Sequence, residues 1–499
     1  MSDIDPTWGP GALAELSVAE TGALLRAGTI TSVELVEHAL SLIEAHDPQL
    51  HSFVLVTRDR ALQRAARADR ELRDGIDRGP LHGIPYALKD ILAAEGLPTT
   101  NHSRLTVADV AAEDSTVEAR LRVGGAVLLG KLATYEFAFG GPSTDLPFPP
   151  ARNPWHREHI PSGSSSGAGV AVAAGFVRVA FGSDTAGSLR GPAFHCGAVG
   201  LKPTYGSVSG YGATPLAPTM DHFGPLAWTV ADAAAALQAV AGPDPRDART
   251  HQAPAPDFLG SLTGDVRGLR VGYSKAWYAS DPASLPEITE GIERALAHLD
   301  GLGAIVKECE LPPYEVFDAC GRVILMAEGF AVHEDNLRRS PRSFGRYTYQ
   351  KLMPGAGVGA SDLLRARDVR RRLSAALDRR VFAGHDVLIT ACGQTTAARF
   401  DDFGTDWPPP QLANDMQTIP FAVTGHPAMS LPLGFAGNGL PIGVQLVGRK
   451  FGEADLFRAG MALEAEFGRR DTRPVLPGDG GHAPRRRPGT VREPRDVRP

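Results

Sequence analysis

Apolar positions along the chain switch repeatedly between helical spacing and short continuous runs. Val33, Val36, Leu40 and Ile43 recur three or four residues apart behind a T-x-x-E capping box at Thr31 and Glu34, a pattern that predicts an amphipathic helix. SFVLV (52–56) reads as a short buried strand, and the Arg- and Ala-rich segment to about Arg73 as a helix. Further runs at 126–131, 269–274, 304–310 and 386–390 read as strands, each beside a helical pattern, and 361–380 as a basic amphipathic helix with a solvated face. Such alternation predicts an α/β fold, a single large domain with a central mixed β-sheet covered by helices on both faces. No internal repeat interrupts it. The stretch 241–258 is the nearest thing to a linker and reads equally as a surface crossover loop, so one domain is expected over 1–475. The Pro-, Gly- and Arg-rich residues 476–499 are expected to be a disordered tail.

Composition narrows the function classes. A formal charge of −6, with 43% hydrophobic and 22% charged residues, describes an ordinary core-forming chain without a pull toward nucleic acid or anionic membrane. The longest apolar run, at 167–182, contains Arg178 and is too short to span a bilayer. The start has neither a basic nor an apolar leader region, which makes the cytoplasm the expected compartment. Cys196, Cys309, Cys320 and Cys392 are widely spaced, which argues for free thiols over a disulfide or zinc framework. No cofactor and no metal are expected.

The stretch from Ser162 to Arg190 is the chemical candidate. It lacks the phosphate-loop lysine and the third glycine of a dinucleotide fingerprint. It does contain G-x-S-x-G centred on Ser165. A nucleophile elbow needs a buried strand just before it, whereas the preceding segment is polar and broken by Pro154 and Pro161. The apolar continuation reads as a buried helix followed by a strand, ending in GSDTAGS (182–188). A loop of such small residues can aim several backbone N–H groups at one point, which suits the developing charge on a carbonyl oxygen. Ser188 is therefore a nucleophile candidate, with a structural turn an equal alternative. Fifteen histidines show no diagnostic spacing to it. Lys89 interrupts the apolar run Ile84 to Leu92, and lysines are scarce, seven against forty-four arginines. Burial would let such a lysine act as a neutral base; a pair with Asp90 is the competing reading.

Together these blocks resemble the amidase signature family. The resemblance runs through LHGIPYALKD (81–90), GKLATYEFAFG (130–140), ARNPW (151–155), SGSSSGAGVAVAAG (162–175), 182–212, MDHFGPLAWTVADAA (220–234) and 419–448. It implies a Ser–Ser–Lys triad in which Lys89 is the base, Ser164 the bridge and Ser188 the nucleophile. It further implies an oxyanion hole from the backbone N–H groups of Thr185, Ala186, Gly187 and Ser188, and a cis peptide between Gly163 and Ser164. Ser165, Asp184 and Arg190 are then supporting residues. Ala186, Ala133, Ala422 and the segment 391–395 depart from the family's commoner residues, which bears on substrate choice. The divergent region 310–370, with Tyr314, Phe317, Phe330, Phe344 and Tyr347, is expected to line an apolar substrate mouth.

The resemblance implies hydrolysis of a small-molecule amide or carbamate through an acyl-enzyme. The alternatives are the glutamine-hydrolysing component of a tRNA-dependent amidotransferase and an inactive binding protein of the same fold. The oligomeric state stays open, with a homodimer among the options.

Overall fold

This computed structural model describes residues 13–279, 284–404, 416–468 and 472–476, with the backbone of 485–486. Eleven of the strands in it form one mixed sheet. In chain order they are β1 Phe53–Val56, β2 Pro85–Lys89, β3 Val127–Leu132, β4 Val179–Asp184, β5 Val199–Lys202 and β6 His222–Ala227. They continue with β7 Arg270–Tyr273, β8 Ile305–Glu308, β9 Val387–Thr390, β10 Ala428–Phe435 and β11 Pro441–Gly448. Across the sheet the order is β1-β3-β2-β4-β6-β5-β10-β11-β9-β7-β8. β2 runs parallel to both β3 and β4, and β7 parallel to β8 and β9, while the central strands pair antiparallel.

Most strands that read as continuous apolar runs are explained by burial on both faces; the run at 52–56, expected to be buried, is instead the partly exposed edge strand β1. Side chains alternate across a strand. Tyr86 and Leu88 of β2, Leu128 of β3, and Val179 and Phe181 of β4 enter one apolar cluster. Their neighbours Ala87, Val127, Leu129 and Ala180 enter a second cluster on the opposite face. That second face is covered by helices Ser32–Leu50, Arg58–Arg73 and Ser166–Ala173. The Thr31 cap forms as expected, its hydroxyl accepting from Glu34 N–H and Glu34 reaching back to Thr31 N–H. Every residue of the Ser166–Ala173 helix is buried, and its small side chains let its backbone lie close to the sheet.

Residues 241–258 form a loop rather than a domain boundary. Gly242 N–H donates to Ser207 C=O at 2.9 Å and His251 N–H to Gly206 C=O at 3.0 Å, so the segment is bonded back onto the same body. Of the expected tail 476–499, Leu476 is buried in the second apolar cluster and so belongs to the folded body, and Arg485–Arg486 pairs antiparallel with Thr472–Arg473; the rest lies outside the described residues. Cys196, Cys320 and Cys392 are buried and Cys309 partly so, all as free thiols. Among the described residues no helix is long and apolar enough to cross a membrane.

Candidate active site

Lys89 ends β2 and Asp184 ends β4. Because these strands are parallel neighbours, with Leu88 level with Phe181, both residues emerge at the same carboxyl edge, where α/β sheets commonly bind ligands. The Ser162–Ser165 segment enters the Ser166–Ala173 helix beside them, and residues 185–189 carry the chain from β4 into helix Arg190–Cys196. The two serine loops are joined by Ser165 N–H donating to Ser188 C=O at 3.2 Å.

Lys89 is fully buried, and its Nζ lies 2.6 Å from Ser164 Oγ and 2.9 Å from Ser183 Oγ. Burial pushes the Lys89 ammonium down to about 7, against the pull of Asp184 and Asp221, which favour the cation. The expected alternative, a Lys89–Asp90 pair, does not form. Asp90 lies just beyond the strand end and pairs with Lys131 of β3 at 2.7 Å, and it also accepts from Thr100. The Gly163–Ser164 peptide is cis. A Cβ on Gly163 would overlap the Tyr135 ring, which explains the glycine there by packing alone.

A buried ionic bracket holds the 185–189 loop. Asp184 Oδ1 accepts from Gly187 N–H at 2.7 Å and from Arg190 Nη2 at 2.8 Å, and Oδ2 accepts from Arg190 Nε at 2.9 Å. Burial alone would raise this carboxyl; the adjoining Arg190, with Lys202 and His222 behind it, outweighs burial and holds it well below the usual range. Arg190 Nη1 in turn donates to Thr418 C=O at 2.8 Å and Gln445 Oε1 at 2.7 Å. Thr185 Oγ1 donates to Asp221 at 2.7 Å, and Thr418 Oγ1 to Ala186 C=O at 2.6 Å. Gly187 adopts φ +135°, and a Cβ there would run into Thr418. Gly187 N–H is thus engaged by Asp184, so its visible task is to hold the loop's shape.

Lys89 lies behind Ser164. Ser164 and the half-buried Ser188 open into a cleft of about 300 Å³. Its walls are apolar on several sides, from Tyr135, Phe139, Leu325, Met326, Tyr347 and Ile419, and they also carry Arg322 and Lys351. Of the five aromatics expected at the mouth only Tyr347 lines this cleft. Phe317 packs against Trp277, Phe344 against Phe137, and Phe330 joins the same small cluster as Phe137. Tyr314 faces a larger cavity of about 920 Å³ that shares Met416 with this cleft but contains none of Lys89, Ser164 or Ser188. Ala133, Ala422 and the 391–395 segment also stay out of the cleft wall: Ala133 and Ala422 are buried, Ala391 C=O accepts from Gln445 and Cys392 lies behind Arg190.

Sequence reading missed Ser183, Asp221 and Thr418, which brace the loops, and Arg322 and Lys351 in the wall. Ser183 and Asp221 lie inside the family blocks, where a polar residue beside a buried strand was the available signal. Arg322, Lys351 and Thr418 carry no local pattern at all.

The amidase family profile matches residues 34–457. The chain is 37% identical over 476 residues to the A component of the glutamyl-tRNA(Gln) amidotransferase from Geobacter metallireducens, covering 91% of this chain and 97% of that one. Among solved structures, peptide amidase from Stenotrophomonas maltophilia superposes with a TM-score of 0.80 at 32% identity, covering 93% of this chain and 99% of that one. The corresponding A component of the Thermotoga maritima glutamyl-tRNA(Gln) amidotransferase gives 0.74 at 31% identity, covering 93% and 96%. The chain belongs to the amidase signature family and is an enzyme acting on amide carbon–nitrogen bonds.

Proposed function

We propose that the protein hydrolyses amides through an acyl-enzyme on Ser188, with Lys89 as the base and Ser164 as the proton bridge. The observation that carries this reading is a fully buried lysine 2.6 Å from a serine that shares a cleft with a second, more accessible serine. Neutral Lys89 takes the Ser164 proton as Ser164 takes that of Ser188, and the Ser188 oxygen adds to the amide carbon. The backbone N–H groups of Thr185, Ala186 and Ser188 stabilise the resulting oxyanion, while Gly187 N–H keeps Asp184 and the loop in register. Returning the proton to the departing nitrogen releases the amine, and water then cleaves the acyl-enzyme by the same relay. Losing one oxyanion donor commonly costs about 3–4 kcal/mol.

Sequence likeness to the amidotransferase components favours a second reading, in which the amide is glutamine and the chain works within a multi-protein complex. The superposition on peptide amidase, at a TM-score of 0.80 against 0.74 for the amidotransferase component, favours a direct amide hydrolase. Both use the same Ser188 chemistry. Anilide and glutamine hydrolysis, measured with the purified chain alone and after co-expression with candidate partner proteins, separate them: ammonia release from glutamine only in the co-purified complex selects the amidotransferase reading. Ser188→Ala should lower turnover of any accepted amide by roughly 10⁴-fold or more with an unchanged fold. Parent-like turnover in that variant removes the nucleophile assignment.

A further inference from the structure

The cleft wall opposite the serines is electrostatically one-sided. Arg322, on helix Tyr314–Arg339, and Lys351, on helix Arg346–Leu352, both line it, whereas none of its described lining residues is Asp or Glu. Arg322 is partly offset by Asp318 at 2.6 Å, one turn away on its own helix and outside the lining. Lys351 has no hydrogen bond or ion pair among the described residues, although it is half-buried and Arg322 is near enough to disfavour its charge. A half-buried ammonium beside a second cation, with no anion among its described neighbours, is a poor arrangement. It becomes favourable once a bound anion completes it, because charge-assisted hydrogen bonds are stronger in a partly desolvated cleft.

We infer that the substrate is an amide that also carries a carboxylate, held by Lys351 with help from Arg322 while the amide carbonyl lies at Ser188. This rests on the Ser188 reading and adds the substrate class to it. The modest cleft and the apolar surface of Leu325, Met326 and Ile419 suit a short carbon chain between the two groups. Glutamine meets the chemical requirement, as do many acids whose other end is an amide.

Two substrate pairs test this, one with the carboxylate on the acyl side and one with it on the amine side. Glutaric monoanilide is compared with 5-oxohexananilide, and 4-acetamidobutyrate with 5-acetamidopentan-2-one, the ketones being neutral shape mimics. In at least one pair the acid should show kcat/KM higher by about tenfold or more. Lys351→Met should bring that ratio near one, Lys351→Arg should keep it, and Lys351→Glu should shift preference toward 4-aminobutyranilide. A parallel readout needs no turnover: glutarate should raise the melting temperature of the parent and not of Lys351→Met. Equal use of acids and ketones in both pairs, or an acid preference that survives in Lys351→Met, overturns the inference. Lys351-dependent stabilisation by glutarate without hydrolysis of any substrate would keep the anion subsite and instead remove the Ser188 hydrolase reading.

Discussion

The two sides of the cleft are built on opposite principles. On the sheet side, buried polar groups each have several partners: Asp184 binds Gly187 and Arg190, Arg190 reaches Thr418 and Gln445, and Lys89 meets Ser164 and Ser183. On the helical side, among the described residues, Arg322 pairs with the neighbouring Asp318 and Lys351 has no partner. A fully satisfied buried network has one geometry and resists change, because each member left alone would carry a desolvation cost. A half-buried wall of loosely tied side chains can be altered at little cost to folding. Under the proposed mechanism, bond breaking belongs to the rigid side and the choice of substrate to the adaptable one.

The comparison breaks most sharply at Lys89. Lys89→Met should cut kcat by roughly a thousandfold or more. In the parent, Lys89 accepts a proton only when neutral. Its value of about 7 therefore makes kcat/KM rise about tenfold per pH unit below 7 and level above it. A pH–rate profile measured from pH 5 to 9 checks both the midpoint and the direction; a flat profile would detach Lys89 from the chemistry. Next in size is Asp184→Asn, which leaves the buried Arg190 without its counter-charge and should destabilise the fold by about 3–5 kcal/mol in urea unfolding. Smaller still, Thr418→Val removes one hydrogen bond to Ala186 C=O. It should cost about 1 kcal/mol and lower kcat more than it raises KM, since the 185–189 loop loses its outer support. Substitutions at Lys351 belong at the far end of the scale for stability, with their effect confined to substrate preference.

Much of the sheet was legible because its strands obey local rules. The runs at 126–131 and 386–390 have too few polar positions to be anything but two-sided strands, and the Thr31 capping box needs only residues within one turn. The apolar run at 52–56 is a strand but lies at the sheet edge, partly exposed, because nothing local records which strand has a neighbour on only one side. The mouth aromatics were misread for the complementary reason. Phe317, Phe330 and Phe344 lie in the right region of sequence, yet the rotation of helix Tyr314–Arg339 buries Phe317 and packs the partly buried Phe330 on the Phe137 cluster while Leu325 and Met326 reach the cleft, and Phe344, in the extended link after that helix, folds onto Phe137. Composition within a helix does not record that rotation once both faces are apolar.

By itself, the sequence determined the alternating α/β order, the small-residue loop that ends in Ser188, and the family blocks that single out Lys89 and Ser164. These are local patterns, written over a few residues and read without knowing what lies next to them. Tertiary structure alone decided that Lys89 is dry, that Asp90 turns away to Lys131, that Ser183 and Asp221 flank Lys89 and the 185–189 loop, and that Lys351 shares one cleft with Ser188. A lysine's basicity and a cation's lack of a partner are properties of surroundings assembled from distant segments. Here they depend on residues more than a hundred positions apart in the chain.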